Sequence, residues 1–206
     1  MNNLILRIGT SVFILPIFIL CIYFSGNFLK LLLLIIFFIS IYEINKNFQK
    51  NFIYFFLIFL QLIFCLSFYS LRGSTSISFI YLIWLISIVI LTDIGGYVFG
   101  KLIGGRTFSK ISPNKTIAGL CGSLFFSQFS CLIFVMNENF VFNNQIILKQ
   151  ILFSIIAIFG DLFFSFLKRK NSIKDYSNLF PGHGGLLDRI DGMIFVIISA
   201  KLLTYV

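Results

Sequence analysis

Two stretches hold most of the side chains able to do chemistry. One runs from Thr92 to Thr116, the other from Gly160 to Gly192, and both are rich in glycine: of 15 glycines, seven fall in 95–122 and four in 182–192. Glycine gathers where backbone must turn sharply or come close to a ligand. Asp93 and Asp161 are each written into the end of an apolar run. A carboxylate there is costly unless it is paired, metal-bound or facing a wet cavity. Asp161 stands about seven residues before its helix should emerge, a depth of about 10 Å at about 1.5 Å per residue. Asp188 and Asp191 are three apart and share one face if a helix opens near 187. Asp161, Ser165 and Lys168 fall at i, i+4 and i+7, on one stripe of a helix. Carboxylates able to hold Mg²⁺, ringed by Lys and Arg, are the composition needed to bind a nucleoside triphosphate and stabilise charge in phosphoryl or nucleotidyl transfer. A general base is dispensable if the nucleophile is already a phosphate.

Each feature has a plainer reading. Asp188-Arg189-Ile190-Asp191 suits a helix N-terminus, where acids favour the dipole. Lys168-Arg169-Lys170 suits the basic flank of a membrane span. Gly96, Gly100 and Gly104 form a ladder used for close helix packing. Ser165 and Lys168 match S-x-x-K without either companion motif of the serine enzymes. His183, the chain's single histidine, excludes a histidine-rich metal site and suits a loop or a phosphate contact. A Walker loop is absent from the sequence, which removes a P-loop ATPase. Cys21, Cys65, Cys121 and Cys131 all lie in apolar runs without a C-x-x-C, so they read as small packing residues. Singly these readings hold. Together they strain, because the acids, the bases and both glycine-rich turns converge on one predicted membrane face.

The elements that must carry these residues are membrane helices. Of 206 residues 59% are hydrophobic and only 11% charged, against about 25% charged in a soluble domain. About seven apolar runs are long enough to consider as spans, near 8–24, 28–42, 52–69, 77–94, 117–136, 146–167 and 193–206. The second and last are short, so each either crosses with the bilayer thinned or its flanking side chains snorkelling, or is re-entrant or partly interfacial, a choice the sequence leaves open. The first is a poor signal peptide, with Pro16 inside it and no small-residue cleavage pattern after it. With the N-terminus inside, the cytoplasmic segments hold Arg7, Lys46, Lys50, Lys101, Arg106, Lys110, Lys115, Lys168, Arg169, Lys170, Lys174 and Arg189. Only Lys30, Arg72, Lys149 and Lys201 remain outside, a strong positive-inside asymmetry. The fold expected is all-α, one polytopic membrane domain over 1–206 with about seven helices and a polar cavity at the cytoplasmic face. The net charge of +9 then concerns phosphates at the membrane surface, with no nucleic acid as partner.

The second stretch, from Ser165 through Lys168-Arg169, Lys174-Asp175 and P-G-H-G-G (181–185) to D-R-I-D (188–191), resembles the signature of the phosphatidate cytidylyltransferases, or CDP-diglyceride synthases. The first stretch is similar to that family too, in Asp93, the glycine run from Gly95 to Gly104, and S-P-x-K-T at Ser112 to Thr116. The motif regions are 92–123 and 160–192. After S-P-x-K-T the family usually has E-G-x-x-G-G, whereas this chain has Ala118 in place of the acid and Ser123 in place of the last glycine. The chain is also shorter than most bacterial members, with the deficit on the N-terminal side. The resemblance implies a reaction of CTP with phosphatidate that yields CDP-diacylglycerol and diphosphate. It implies Asp161, Asp188 and Asp191 as holders of Mg²⁺, with a second cation left open. Lys168, Arg169 and Lys174 would neutralise phosphates, and Asp175 would orient a lysine or the nucleotide. Asp93, Tyr97, Ser112, Lys115, Thr116, Ser165, His183 and Arg189 would contact substrate or line the cavity. The expected partners are CTP, phosphatidate and membrane lipid, with a homodimer left open, in a bacterial inner membrane with the site facing the cytoplasm. Rival readings are a CTP-dependent enzyme acting on another lipid phosphate or a lipid alcohol, a small transporter using Asp93 and Asp161 as ion ligands, and a catalytically inert scaffold.

Overall fold

The structure is a computed structural model that describes residues 15–107, 115–135, 144–179 and 184–204. Its elements are α1 (Leu15–Phe24), α2 (Gly26–Asn47), α3 (Phe52–Arg72), α4 (Ser76–Leu102), α5 (Ile117–Ser127), a 3₁₀ turn (Gln128–Cys131), α6 (Leu132–Val135), α7 (Asn144–Lys170) and α8 (Leu187–Leu203). The protein is an all-α polytopic membrane protein. Four helices, α2, α3, α4 and α7, are long and apolar enough to cross a bilayer. The many large side chains on their outer faces, such as Phe38, Phe55, Phe59 and Phe159, are exposed, as lipid-facing surfaces should be.

Local sequence explains where helices start. Asn51 accepts from Tyr54 N–H at 3.2 Å, Thr75 from Ser78 N–H at 3.2 Å, and Thr116 from Gly119 N–H at 3.0 Å, each taking up a donor that the first turn leaves unpaired. Ser25 and Gly26, both at positive φ, separate α1 from α2. Phe18 packs on Phe68 and Ile22 O accepts from Arg72 Nε at 2.5 Å, so α1 runs alongside α3 in the same direction.

Two runs that the sequence left open take definite form. The short second run becomes the 22-residue helix α2, because Glu43 and Asn47, which end the apolar stretch in the sequence, continue the helix with their polar groups satisfied inside the protein. The short last run becomes α8, the centre of the bundle. It starts at Leu187 and has 17 residues, and it buries Leu187, Ile190, Met193, Ile194, Val196, Ile197 and Ala200 against α3, α7 and α4. A helix sheathed by other helices need not match the lipid thickness by itself.

Glycine sets two of the helix contacts. A Cβ on Gly95 would lie 2.4 Å from Gly122 O, and one on Gly122 would lie 2.4 Å from Phe99 Cβ, so α4 and α5 touch backbone to backbone. A Cβ on Gly160 would meet Asp191 O at 2.9 Å, so α7 and α8 do the same. The ladder foreseen at Gly96, Gly100 and Gly104 is therefore partial. Gly96 and Gly100 face α5, while Gly104 lies past the end of α4 at φ +66°.

Candidate active site

The C-terminal ends of α2, α4 and α7 meet the N-terminal ends of α5 and α8 at one end of the bundle. Two close helix contacts place the acids. The Gly160 approach to α8 puts Asp161 beside Asp191, and the α4–α5 contact brings Asp93, Gly96 and Tyr97 across from Lys115 and Thr116. The chain returns from α4 to α5 through a bridge between Thr107 and Thr116, which fixes Lys115 at the rim. Between these elements lies a cavity of about 340 Å³. Its walls include Thr92, Asp93, Tyr97, Lys115, Thr116, Ser123, Asp161, Asp188 and Asp191. Four aspartates that lie up to 98 positions apart in the sequence thus share one space.

Their partners differ. Lys115 forms a salt bridge with Asp161, and Ser165 Oγ donates to Asp161 Oδ1 at 3.3 Å. Asp191 is buried, accepts from Gly192 N–H at 2.8 Å through Oδ1, and faces the charges of Asp161 and Asp93. Asp93 in turn feels Lys115 and Arg189. Asp188 is tied on both oxygens. Oδ1 accepts from Lys168 Nζ at 2.7 Å, and Oδ2 accepts from Tyr176 N–H and Gly185 N–H, each at 2.9 Å. Lys168 also stands over the Tyr176 ring, 5.5 Å from its centroid. Tyr176 is buried in the α7–α8 loop, and that burial, with the charges of Asp188, Asp191 and Glu43, holds its phenol well above the ordinary range.

The residues foreseen from sequence fall into three groups. Asp93, Tyr97, Lys115, Thr116, Asp161, Asp188 and Asp191 line the cavity. Ser165 and Lys168 sit one layer behind, each bonded to a lining aspartate. Arg169, Lys174, Asp175 and Arg189 are exposed and stand outside the lining, with Asp175 close to Gly184. Ser112 and His183 lie outside the described residues. The stripe Asp161–Ser165–Lys168 is real only in part, because Lys168 turns away to Asp188 and leaves Asp161 to Lys115. Sequence reasoning missed Glu43. It accepts from Ser177 Oγ at 2.6 Å and from Leu186 and Leu187 N–H at 2.8 Å each. An acid four residues before an Asn, inside an otherwise apolar helix, was the available signal.

The donor set suits a hard cation. Among the described residues, no three His, Cys, Asp or Glu side chains form a group able to hold a metal alone. Mg²⁺ asks for less, since one or two carboxylates with phosphate oxygens and water complete its shell. Asp161 and Asp191 fit that demand, Asp93 faces them, and all three are oxygen donors.

A model of the cytidylyltransferase family matches residues 44–206. The phosphatidate cytidylyltransferase of Helicobacter pylori strain J99 is 39% identical over 127 residues, 60% of this chain and 47% of that protein. Proteins of the same name from Staphylococcus aureus strain COL and Staphylococcus haemolyticus are 41% and 40% identical over 119 residues, 57% of this chain and 46% of each relative. The chain's matches span about half the length of these relatives.

Proposed function

On the premise that the chain belongs to the cytidylyltransferase family, we propose that it transfers the cytidylyl group of CTP to phosphatidate, yielding CDP-diacylglycerol and diphosphate. A phosphate oxygen of the lipid attacks the α-phosphorus of CTP in line. The bond from that phosphorus to the bridging oxygen breaks, and diphosphate leaves with the electron pair. The observation that carries this reading is the single cavity lined by Asp93, Asp161, Asp188 and Asp191 with Lys115 and Thr116 on its rim, at the end of a bundle of apolar helices. Acyl chains stay in lipid while a water-soluble nucleotide enters from the polar end.

The side chains divide the work. Asp161 and Asp191 would hold Mg²⁺, which when bound draws charge from the phosphates of the reacting nucleotide. Asp188 belongs to a different task here, since both its oxygens already anchor Lys168 and the α7–α8 loop. Lys115, paired with Asp161, is placed to exchange part of that contact for a substrate phosphate. Arg169, Lys174 and Arg189, exposed around the same end, attract anionic substrates and take up the charge of the leaving diphosphate. Asp175 lies beside Gly184, where it orients the loop that carries Lys174. Ser112 and His183 are proposed as further phosphate contacts on the strength of their motifs. The basic residues crowd the cavity end while Lys30, Arg72, Lys149 and Lys201 sit toward the other, which supports a cytoplasmic site in a bacterial inner membrane.

The test is direct. Purified protein is incubated with labelled CTP, phosphatidate and Mg²⁺, and product lipid is resolved from substrate. A lipid carrying CMP, formed with one diphosphate per turnover, supports the proposal. Release of CDP with a phosphorylated lipid would indicate a kinase instead, and ion flux without CTP consumption a transporter. Turnover by Asp191→Asn equal to that of the unaltered protein would remove the cation assignment.

A further inference from the structure

Helix α8 opens without a cap of its own. Its N-cap residue is Leu186, which has no side-chain acceptor, and the first turn still has donors to satisfy. The acceptor comes from another helix. Glu43 of α2 is fully buried. Its Oε1 accepts from Leu186 N–H and Ser177 Oγ, and its Oε2 from Leu187 N–H. Asp188 takes the preceding donor, Gly185 N–H, and the N–H of Tyr176. Three consecutive N–H groups, 185 to 187, are therefore shared between two carboxylates, one inside the cavity wall and one outside it. The end of α2 grips the other strand of the same loop, through Asn47 Nδ2 donating to Tyr176 O at 2.7 Å and Phe48 stacked on the Tyr176 ring. Gly185 is needed for the fit, since a Cβ there would lie 2.6 Å from Glu43 Oε1. The family match begins at residue 44, just past Glu43.

We propose that Glu43 is a positioning residue, a carboxylate on α2 that caps α8 from outside and sets the angle at which Asp188 and Asp191 enter the cavity. A negative group at a helix N-terminus is favoured by the dipole and forms charge-assisted bonds to its N–H groups. Replacing one oxygen by an amide nitrogen sets a donor against a donor, and the first turn of α8, which carries Asp188, loses its anchor. The functional half of this proposal rests on the nucleotidyl-transfer reading.

The full chain in detergent is compared with Glu43→Gln, Ser177→Ala, and a cycle of Glu43→Ala with Gly185→Ala. In Glu43→Gln, deuterium exchange over 184–190 is expected to rise about tenfold or more while 52–72 stays unchanged. Transfer should fall about 10–100-fold, the usual cost of losing a residue that orients a ligand, with KM for CTP within about threefold. Gly185→Ala should slow transfer by itself and add nothing in the Glu43→Ala background, where the added methyl fits the vacated space. Ser177→Ala removes one donor of three and gives a smaller shift in the same direction, which keeps the proposal testable if the Glu43 variants fail to accumulate. Unchanged exchange over 184–190, faster exchange with unchanged turnover, or additive effects in the cycle would each overturn it. A wild-type protein that makes no CMP-linked lipid defeats the nucleotidyl-transfer reading alone, and exchange over 184–190 then decides whether Glu43 holds α8.

Discussion

Replacing Lys168 by Met separates what holds the cavity from what works in it. Lys168 Nζ lies 2.7 Å from Asp188 Oδ1, and the two side chains are only 14% and 6% exposed. Removing one partner from a buried ion pair costs about 3–5 kcal/mol, mostly because the other charge is left without compensation. Asp188 keeps two backbone donors after the change, which places the expected loss at the lower end, about 3 kcal/mol. At about 2–4 °C per kcal/mol for a chain of this size, the unfolding midpoint should fall by about 6–12 °C. Methionine preserves most of the apolar stem, so little of that loss comes from packing. The double variant Lys168→Met with Asp188→Asn removes both charges and should recover about 2 kcal/mol relative to the sum of the single variants. Thermal unfolding in one fixed detergent measures the stabilities, and CTP-dependent lipid labelling measures transfer in parallel. Transfer should stay low in the double variant even where the midpoint recovers. A midpoint for Lys168→Met within about 1–2 °C of wild type, or strict additivity in the cycle, would refute the reasoning.

Four other outcomes follow from the same geometry. Gly122→Ala should cost about 1–3 kcal/mol and slow transfer, because its Cβ would lie 2.4 Å from Phe99 Cβ and 2.7 Å from Gly95 O, forcing α5 and Lys115 away from α4. Gly100→Ala, whose nearest neighbour would be Thr116 Oγ1 at an ordinary 3.4 Å, should be close to neutral, and paired melting curves distinguish the two. Asp191→Asn should lower transfer about 10³-fold or more without lowering the unfolding midpoint, since it removes a buried charge that faces Asp93 and Asp161. Tyr176 governs an alkaline effect. Its phenol titrates higher in the folded than in the unfolded chain, so its contribution is complete below its ordinary value near about 10 and is lost as pH rises beyond that toward the folded value. Tyr176→Phe should flatten this alkaline loss in melting curves taken from pH 9 upward, at the small cost of the 3.3 Å hydrogen bond to Phe164 O.

Much of the fold was legible because membrane helices are a local property. An apolar run long enough to cross lipid must satisfy its own backbone, whatever surrounds it. The third, fourth and sixth runs accordingly appear as α3, α4 and α7, with ends within three residues of the runs except that α4 continues eight residues further, to Leu102. Where charge interrupts a run, local reading loses its hold. Glu43 looked like the end of a span and instead is fully buried at the start of α8, because its partners are donors 134 to 144 positions away.

The candidate site divides in the same way. Composition and spacing were enough to single out Asp93, Asp161, Asp188 and Asp191, since residue type decides what chemistry a group offers, and the family resemblance added Lys115. Which base serves which acid was beyond them. Helical spacing put Lys168 on the stripe of Asp161, yet Lys168 pairs with Asp188 and Asp161 with Lys115. That choice depends on how closely α4 approaches α5 and α7 approaches α8, distances set by glycine contacts between helices far apart in the chain. The sequence by itself determined that this protein lives among lipids and carries acids and bases suited to phosphate chemistry. Only the tertiary structure decided that the four aspartates share one cavity and that Lys115 holds Asp161 while Lys168 holds Asp188, because electrostatic pairing falls off over a few ångströms, and such distances between helices exist only once the bundle is packed.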